Sequence, residues 1–306
     1  MAQRLSVVIP VYQRQRELDC AVRSLESEAS LISEVVVVDD ASPEPIALHV
    51  PEALRKKARL VRLGENVGSS AARQTGIDRS DGDLVAFLDS DDAWLPGKLA
   101  AQLLLMDRAD PMTAVATGWQ AVDIELQRMY TRIPKNGDTL RDFTSGCWYC
   151  PGSTVMISRA ALDRVGASDP GLRRLEDFEW FLRFALAGGR VLAADVIGAL
   201  IRRTRVSNRD AVYAAAERIA RRYAHDARLD RAARRDIGGY LDLERGFSAL
   251  YEHNLIEAAG MLARSFIRRP RSRGQLRDWW RVGEPFIDSV SACQLLGISP
   301  AWPSSE

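Results

Sequence analysis

The chain has 306 residues, 46% hydrophobic and 27% charged, so it is long enough to bury a sizeable core and does not have a disordered composition. Lys and Arg number 42 against 41 Asp and Glu, and the net charge of +1 gives no whole-chain reason to expect nucleic acid binding. No run of 18 apolar residues is present, and the run 5–11 is too short for a signal-peptide core. We therefore expect a cytoplasmic protein without a membrane span.

Short apolar strands alternate with helices in the first third of the chain. Apolar or β-branched runs predict strands at 5–10, 35–38, 59–63 and 84–88, and apolar spacing or turn signals predict helices at 17–28, 45–57 and 69–78. This alternation is typical of βαβ units around a mainly parallel sheet, which is an α/β fold. Right-handed crossovers then place the carboxyl ends of the strands at one edge.

Carboxylates follow two of these strands. Asp39 and Asp40 end the second strand, and Asp89, Asp91 and Asp92 follow the strand that ends at residue 88. Three carboxylates within four residues repel one another unless a cation lies among them, and Mg²⁺ and Mn²⁺ prefer such oxygen ligands. The alternative is a solvated turn in which Asp92 caps the next helix. As a carboxylate at the sheet edge, Asp92 is expected to contribute little to packing.

The loop GENVG, residues 64–68, precedes a helix that carries Arg73. Strand-end carboxylates can accept hydrogen bonds from a base or ribose, a metal can bridge a diphosphate, and Arg73 can add charge. The loop is not a Walker A sequence, and no GxGxxG follows the first strand. A nucleotide is therefore expected at this edge without a P-loop or a dinucleotide fold.

The segment LEDFEWFLR, residues 175–183, begins a helix with an apolar face. Asp177 lies at the start, where the helix dipole favours an ionised carboxylate, so we expect it to be charged at neutral pH. A helix N-terminal acid without chemistry is the alternative. Upstream lie two adjacent aromatic residues, Trp148 and Tyr149. Cys147 and Cys150, which flank them, are expected to be reduced.

The chain changes character after residue 204, and we place a catalytic domain at 1–204 and a helical C-terminal region at 205–306. Helices are predicted at 213–235 and 240–266, with a break near Asn254. The basic stretch 264–273 and the pair Trp279–Trp280 suit an anionic membrane surface. A helical appendage with solvated arginines is the alternative reading.

Five ordered motifs resemble family 2 glycosyltransferases with the GT-A fold, across residues 3–200. These motifs are SVVIPVYQR, VVVVDDAS, ENVGSSAAR, FLDSDDAWLPGKL and LEDFEWFLR. Two positions depart from the family pattern: Gln74 stands where Asn is usual, and Phe181 stands where Trp is usual.

The resemblance implies roles by position. Asp177 would be the catalytic base, and Asp92 with Asp91 would bind Mn²⁺ or Mg²⁺. The residues implied on the nucleotide-sugar side are Pro10, Tyr12, Arg14, Asp39, Asp40, Asn66, Arg73, Asp89 and Asp91. Those implied on the acceptor side are Trp148, Tyr149, Glu176 and Trp180. In that zone Trp148 and Tyr149 would stack on a sugar, and the alternative is that both are core aromatics.

The expected reaction is inverting transfer of a sugar from a nucleotide-diphospho-sugar, with UDP as the expected nucleotide, to a saccharide or lipid-linked saccharide. The expected setting is cell-surface polysaccharide synthesis, with the C-terminal region against the inner face of the membrane and no nucleic acid partner. A different nucleotide-sugar enzyme and a non-catalytic scaffold of the same fold are the alternatives.

Overall fold

The computed structural model describes residues 3–204, 208–269 and 280–298, and a mixed sheet flanked by helices lies at its centre. The strands are β1 (Leu5–Val11), β2 (Glu34–Asp39), β3 (Ala58–Arg62), β4 (Leu84–Phe87), β5 (Ala93–Trp94), β6 (Thr113–Asp123), β7 (Arg128–Pro134), β8 (Val155–Ser158), β9 (Arg190–Arg203) and β10 (Trp280–Gly283). The helices are α1 (Gln15–Ser24), α2 (Ser69–Asp78), α3 (Lys98–Met106), α4 (Leu140–Thr144), α5 (Pro151–Thr154), α6 (Arg159–Val165), α7 (Glu176–Leu186), α8 (Arg209–Tyr223), α9 (Arg231–Tyr251), α10 (Leu255–Arg268) and α11 (Ser289–Leu295).

The first four strands form a parallel unit in the order β3-β2-β1-β4. Alternate residues of β1 face opposite cores: Val7 and Ile9 pack with Leu18 of α1, whereas Val8 packs with Ile77 of α2. Burial on both faces explains why these strands read as continuous apolar runs. Their carboxyl ends lie at one edge, as predicted.

Beyond β4 most of the strand pairings are antiparallel, so the prediction of a mainly parallel sheet is confirmed only for this first unit. β8 pairs antiparallel with β4 and β6, β7 pairs antiparallel with β6 and β10, and β9 runs parallel to β6. The short turn between β6 and β7 makes a hairpin, which needs no crossover helix. The result is a mixed sheet rather than a repeated βαβ unit.

Two helices predicted in the first 60 residues differ in the structure. α1 ends at Ser24 and a 3₁₀ helix, Glu26–Leu31, follows it. The helix predicted at 45–57 is wrong, because that segment contains only the 3₁₀ turn Glu52–Leu54. Prolines 45 and 51 lack a backbone donor and disfavour helical conformation at the preceding residue.

The C-terminal region contains helices α8 to α11 and one strand. The segment predicted as one helix at 213–235 divides, because Asp230 caps a new helix and its side chain accepts from the Ala233 N–H. The predicted break at Asn254 is confirmed, since Asn254 caps α10. Strand β10 joins the sheet edge beside β7. Among the described helices, none has both the length and the apolar content needed to cross a bilayer.

Candidate active site

The loops that follow β1 and β2 are held together at the sheet edge. The backbone N–H of Asp40 donates to the carbonyl of Val11 at 2.9 Å, and the N–H of Gln13 donates to Ser42 Oγ at 2.9 Å. These bonds cross between neighbouring parallel strands where each one ends. The predicted convergence of strand ends therefore has a direct hydrogen-bonded basis.

A charged contact joins the loop after β1, residues 12–14, to the acidic loop after β4, residues 89–92. Arg14 forms an ion pair with the carboxylate of Asp91. Pro10 is buried within β1, whereas the Tyr12 side chain is exposed near the loop tip. Of the residues predicted to bind the nucleotide-sugar in this loop, Arg14 and Tyr12 are thus the two that a ligand at the edge can reach.

Asp40 holds the glycine-rich loop in place. Its two carboxylate oxygens accept from the N–H groups of Val67 and Gly68, each at 2.8 Å, and its carbonyl accepts from Asn66 Nδ2 at 3.2 Å. Asp40 is 3% exposed. In this geometry the carboxylate fixes the loop that leads into α2, and contact with a nucleobase stays a prediction.

Asp39 is fully buried, and both of its carboxylate oxygens lie next to protein groups. One oxygen accepts from the Ser42 N–H at 2.9 Å, and the other lies 3.2 Å from Arg62 Nη1. The side chain has no exposed surface. Its role in this structure is to shape the turn after β2, and a contact with the nucleotide stays a prediction.

Asp92 is buried, and the expectation of an edge carboxylate with little packing is wrong. Its Oδ2 accepts from Ser153 Oγ at 2.5 Å, and its Oδ1 accepts from the Arg202 N–H at 2.9 Å. The Ser153 hydroxyl also accepts from the Asp89 N–H at 3.0 Å. Neither Ser153 nor Arg202 was identified from sequence, because backbone contacts between distant strands leave no local motif. Asp92 also does not cap the helix that follows, since α3 begins after Gly97.

A glycine allows α5 to approach this acidic loop. A Cβ on Gly152 would lie 2.1 Å from Asp89 Oδ2, which is closer than any real contact. Gly152 therefore leaves the space that the Asp89 carboxylate occupies.

The acidic loop has the donor chemistry for a hard divalent cation but is not a closed cage. Each carboxylate has its own partner: Asp89 pairs with Arg73 at 2.9 Å, Asp91 with Arg14, and Asp92 with the hydrogen bonds above. Within the described ranges, no group of three metal-ligating side chains converges. Burial raises the pKa of Asp92 well above its usual value, and repulsion from Asp89 and Asp91 raises it further. A nearby cation would relieve this repulsion, and Mg²⁺ is commonly held by one or two carboxylates together with substrate phosphates. The residues thus fit such a cation.

Asp177 joins this acidic loop through one arginine. Arg73 Nη2 lies 2.9 Å from Asp89 Oδ1, and Arg73 Nη1 lies 3.7 Å from Asp177 Oδ1. Asp177 is in the first turn of α7, which begins after Leu175 in a left-handed conformation with φ of 59°. Such a conformation is uncommon for leucine, and it stands directly before the turn of α7 that carries Asp177.

Asp177 has the electrostatic setting of a proton acceptor. Its side chain keeps 40% of its surface open, yet the surrounding protein removes enough solvation to raise its pKa to about 7. The Arg73 guanidinium opposes that rise, and the carboxylates of Glu176 and Asp89 add to it. The helix dipole alone predicted a charged Asp177 at neutral pH, whereas burial and the neighbouring carboxylates raise its pKa in the structure.

A small pocket opens beside Asp177. Its volume, counted as the space open to the centres of water molecules, is about 40 Å³. A pocket of this size holds a few waters or a substituent of a few heavy atoms. Polar groups, among them Arg73 and Gln74, lie with Asp177 around an otherwise mainly apolar wall. The apolar lining is Ile77, Phe87, Val155, Ile157, Leu162, Trp180 and Phe181. Both departures from the family pattern, Gln74 and Phe181, therefore line this pocket.

Comparison with known proteins decides the family. Residues 6–166 match the family described as glycosyl transferase family 2, which is more than half of the chain. The chain belongs to this family. The matched residues include the first four strands and the acidic loop, whereas Asp177 lies beyond them.

Two relatives of this glycosyltransferase family member match over much of their length. Succinoglycan biosynthesis protein ExoW of Rhizobium meliloti is 32% identical over 218 residues, covering 64% of this chain and 68% of ExoW. The putative teichuronic acid biosynthesis glycosyltransferase TuaG of Bacillus subtilis is 28% identical over 190 residues, covering 60% of this chain and 73% of TuaG.

Solved structures show the same fold. Residues 1–349 of S. aureus TarS, in complex with UDP-GlcNAc, superpose with a TM-score of 0.61 at 19% identity, covering 86% of this chain and 79% of that one. A longer TarS structure matches with a TM-score of 0.58 at 21% identity, and this chain spans 44% of it. The GT-A fold predicted from the motifs is therefore confirmed.

The predicted acceptor-side aromatics of this family 2 member occupy different environments. Trp148 and Tyr149 are 3% and 0% exposed and pack with Phe143 and Phe181. Rings so enclosed cannot stack on a sugar here, so the core interpretation replaces the sugar-stacking one. Trp180 is largely buried, with Nε1 donating to the Gly166 carbonyl at 2.8 Å, but it lines the small pocket.

Glu176 is partly buried beside Asp177, and its carboxylate acts on the site electrostatically. Burial alone would lower the pKa of Arg73, but Asp89, Asp177 and Glu176 raise it above its usual value. A direct contact of Glu176 with an acceptor stays a prediction.

The basic C-terminal stretch of this chain is partly used for internal packing. Arg264 and Arg268 pair with buried Asp242 at 2.9 and 3.1 Å, and Arg269 is buried and donates to the Ser145 carbonyl at 2.8 Å. Trp280 Nε1 donates to the Trp148 carbonyl at 2.5 Å, and its ring packs edge-on against Trp119. The other residues of the predicted membrane patch, Arg271, Arg273 and Trp279, lie outside the described residues.

Proposed function

We propose that this protein is an inverting glycosyltransferase that moves a sugar from a UDP-sugar to a hydroxyl of a saccharide or lipid-linked saccharide. The observation that carries the proposal is the link Asp89–Arg73–Asp177, which joins the acidic strand end to a carboxylate suited to accept a proton. A scaffold that only bound a nucleotide would not require a base at this position.

In the proposed reaction Asp177 acts as general base. It takes the proton of the acceptor hydroxyl while that oxygen forms a bond to the anomeric carbon. The bond from the anomeric carbon to the diphosphate oxygen breaks, and UDP leaves with the bonding electrons. A single displacement inverts the anomeric centre, so an α-linked donor gives a β-linked product.

Asp91 and Asp92 would hold Mg²⁺ or Mn²⁺, which when bound supplies positive charge to the leaving diphosphate. Arg14 and Arg73 bring positive charge to the same edge. Support for a UDP-sugar donor comes from the fold shared with TarS, whose complex contains UDP-GlcNAc. Transfer of a hexose is the proposed subtype.

The proposed setting is polysaccharide biosynthesis at the cytoplasmic side of a membrane. ExoW is named for succinoglycan biosynthesis and TuaG for teichuronic acid biosynthesis. WfgD of Escherichia coli, 28% identical over 102 residues covering 33% of this chain and 40% of WfgD, is named for glucose transfer to a diphosphoundecaprenol-linked sugar. A lipid-linked acceptor would require the enzyme to work at a lipid surface, so we include peripheral membrane contact in the proposal.

The test is a screen of nucleotide sugars with Mn²⁺ by thermal shift, followed by measurement of UDP release with and without saccharide acceptors. The proposed function predicts one or a few stabilising UDP-sugars and acceptor-stimulated UDP release with an inverted product. Binding without any release would favour a scaffold. Formation of a nucleotide-sugar from a sugar phosphate would indicate a different nucleotide-sugar enzyme.

A further inference from the structure

Large apolar side chains are exposed together on the hairpin formed by α9 and α10. Ile256 is 90% exposed, Ile267 75% and Leu255 65%, and Phe247 and Leu250 are exposed on the last turns of α9. We call these five residues the hairpin apolar face. Exposed apolar residues concentrated in this way mark an interaction surface more often than scattered single ones do.

The outward side of α10 is apolar along most of its length. Ile256, Ala259, Gly260, Ala263 and Ile267 follow one another at spacings of three, one, three and four, which places them on one side of a helix, and all are exposed. A Cβ added to Gly260 would meet nothing within 4 Å. Within the described residues, no packing partner covers this side.

The opposite side of α10 is packed against α9. Ala258 and Ser265 are buried there, and Ser265 Oγ donates to the Gly239 carbonyl at 2.7 Å. A Cβ on Gly246 of α9 would lie 2.9 Å from Leu262 of α10, so the two helices are in close contact. The outward apolar residues are therefore additional to those that hold the hairpin together.

Positive charge borders the hairpin apolar face. Arg264 and Arg268 of α10 are half exposed, and together with Arg245 they face the single buried carboxylate of Asp242. Three guanidinium groups thus face the one carboxylate of Asp242, and Glu257 on the same side of α10 is paired with Arg209 at 2.6 Å. A helix with an apolar side and a cationic border is the type that lies in the plane of an anionic membrane interface.

The hairpin is also firmly connected to the helix that carries Asp177. The ring of Tyr240 in α9 lies 4.5 Å from that of Phe178 in α7, and both belong to one buried cluster. A surface bound through α10 would therefore fix the position of Asp177 relative to that surface.

We propose that the hairpin apolar face, with Arg264 and Arg268 beside it, is the surface through which this protein binds an anionic lipid membrane. This contact keeps Arg264 and Arg268 of the basic stretch expected from sequence, but it replaces the paired tryptophans with the apolar residues of α9 and α10. The inference rests on the proposed function only for the expectation that a lipid-linked acceptor makes such a contact useful.

The experiment is flotation of the full chain with vesicles of phosphatidylcholine alone and of phosphatidylcholine mixed with phosphatidylglycerol. The test variant is the double substitution Ile256→Asp with Ile267→Asp. The matched control is Leu104→Asp, since Leu104 of α3 is 69% exposed but lies in the catalytic domain. Circular dichroism melts and UDP calorimetry verify that each variant is folded, and light scattering gives the oligomeric state.

We expect the wild type and Leu104→Asp to float with the anionic vesicles, and the double variant to bind at least about tenfold more weakly because two apolar side chains no longer leave water. The proposal is overturned if the wild type does not bind either vesicle, or if the double variant binds as the wild type does. A further outcome also overturns it: the wild type does not bind vesicles but forms a dimer, and the double variant is a monomer. That result would assign the surface to contact with a second copy of the chain. UDP release is measured without vesicles, so failure of the proposed transferase activity is seen separately from failure of membrane binding.

Discussion

Arg73 Nη1 lies 3.7 Å from Asp177 Oδ1, and this contact joins a helix at the strand ends to a helix one hundred residues later in the chain. The same guanidinium pairs with Asp89 at 2.9 Å. Arg73 is 14% exposed, so its charge is poorly screened by water at this position. The contact therefore controls both the position of Asp177 and its affinity for a proton.

Turnover should depend on pH through Asp177. Burial, Glu176 and Asp89 raise the pKa of its carboxyl to about 7, while Arg73 and Arg174 lower it. A base is active when deprotonated, so kcat/KM should fall as pH drops below about 7. Arg73→Gln removes a positive charge that lowers the pKa of Asp177, so the fall in kcat/KM should begin at a higher pH. The measurement is a pH profile of UDP release, with Arg190→Gln as a charge-removing control, since Arg190 pairs with Asp110 and is not among the charges that act on Asp177. An unchanged pH profile in Arg73→Gln would contradict the assignment.

Replacement of the base itself should leave the donor site intact. Asp177→Asn is nearly isosteric but cannot accept the proton, and we expect turnover to fall by about 10²–10⁴ with UDP affinity preserved. Glu176→Gln is the matched variant at the adjacent position, and it should have a much smaller effect. If Glu176→Gln loses turnover and Asp177→Asn keeps it, the base is Glu176.

Metal-dependent nucleotide binding should require Asp92. Asp92→Asn keeps an oxygen for the Arg202 N–H but removes the negative charge, so the gain in UDP affinity on adding Mn²⁺ should be lost. Calorimetry with Mn²⁺ and with EDTA measures that gain for both proteins. Since Asp92 is buried, thermal melts are recorded in parallel to separate lost binding from lost folding. Equal wild-type affinity in Mn²⁺ and EDTA would argue against a metal-assisted site.

Two glycine-to-alanine substitutions should have opposite effects. In Gly152→Ala the new methyl would meet the Asp89 carboxylate at 2.1 Å, so we expect a loss of about 1–3 kcal/mol of stability and weaker UDP binding. In Gly260→Ala the methyl enters open space in a helix interior, so we expect a gain of up to about 1 kcal/mol. Urea unfolding measures both values. A neutral Gly152→Ala would mean that Asp89 is free to move aside.

A buried lysine should make stability rise with pH. Lys98 has no exposed surface, and its Nζ donates to Gln102 Oε1 at 2.7 Å and lies 3.9 Å from the Trp94 ring. Burial lowers its pKa to about 7, although Glu28 opposes this. The unfolded chain, with a lysine pKa near 10.4, binds one more proton between about pH 7 and 10, so folding becomes more favourable as pH rises through that window.

The variant Lys98→Met removes this titration. Relative to the variant, the wild type should gain up to about 1.4 kcal/mol per pH unit within the window. Urea unfolding at several pH values gives the difference, and Lys56→Met at an exposed position is the control. Parallel pH dependences for wild type and Lys98→Met would refute the prediction.

Local sequence determined the parallel half of the sheet and the placement of the acids. The runs at β1, β2 and β4 are apolar throughout because both faces of those strands are buried, and that pattern requires no knowledge of distant contacts. Loops at the ends of adjacent parallel strands must lie together, so Arg14, Asp40 and Asp91 could be placed at one edge from order alone. The helix start at Ser69 and the cap at Asn254 follow from residues within one turn.

Only the tertiary structure decided what each of those carboxylates does. In the sequence, Asp40, Asp89 and Asp92 all look alike, as carboxylates that follow a strand. In the structure Asp40 and Asp92 are buried and accept hydrogen bonds from Val67, Gly68, Ser153 and Arg202, whereas Asp89 is more exposed. Likewise, Trp148 and Tyr149 became core residues because α4 and α7 enclose them, and Arg264 and Arg268 became partners of Asp242 because α10 folds back on α9. The physical reason is that burial and pKa depend on groups that are distant in sequence and adjacent in space, which a pattern of neighbouring residues does not encode.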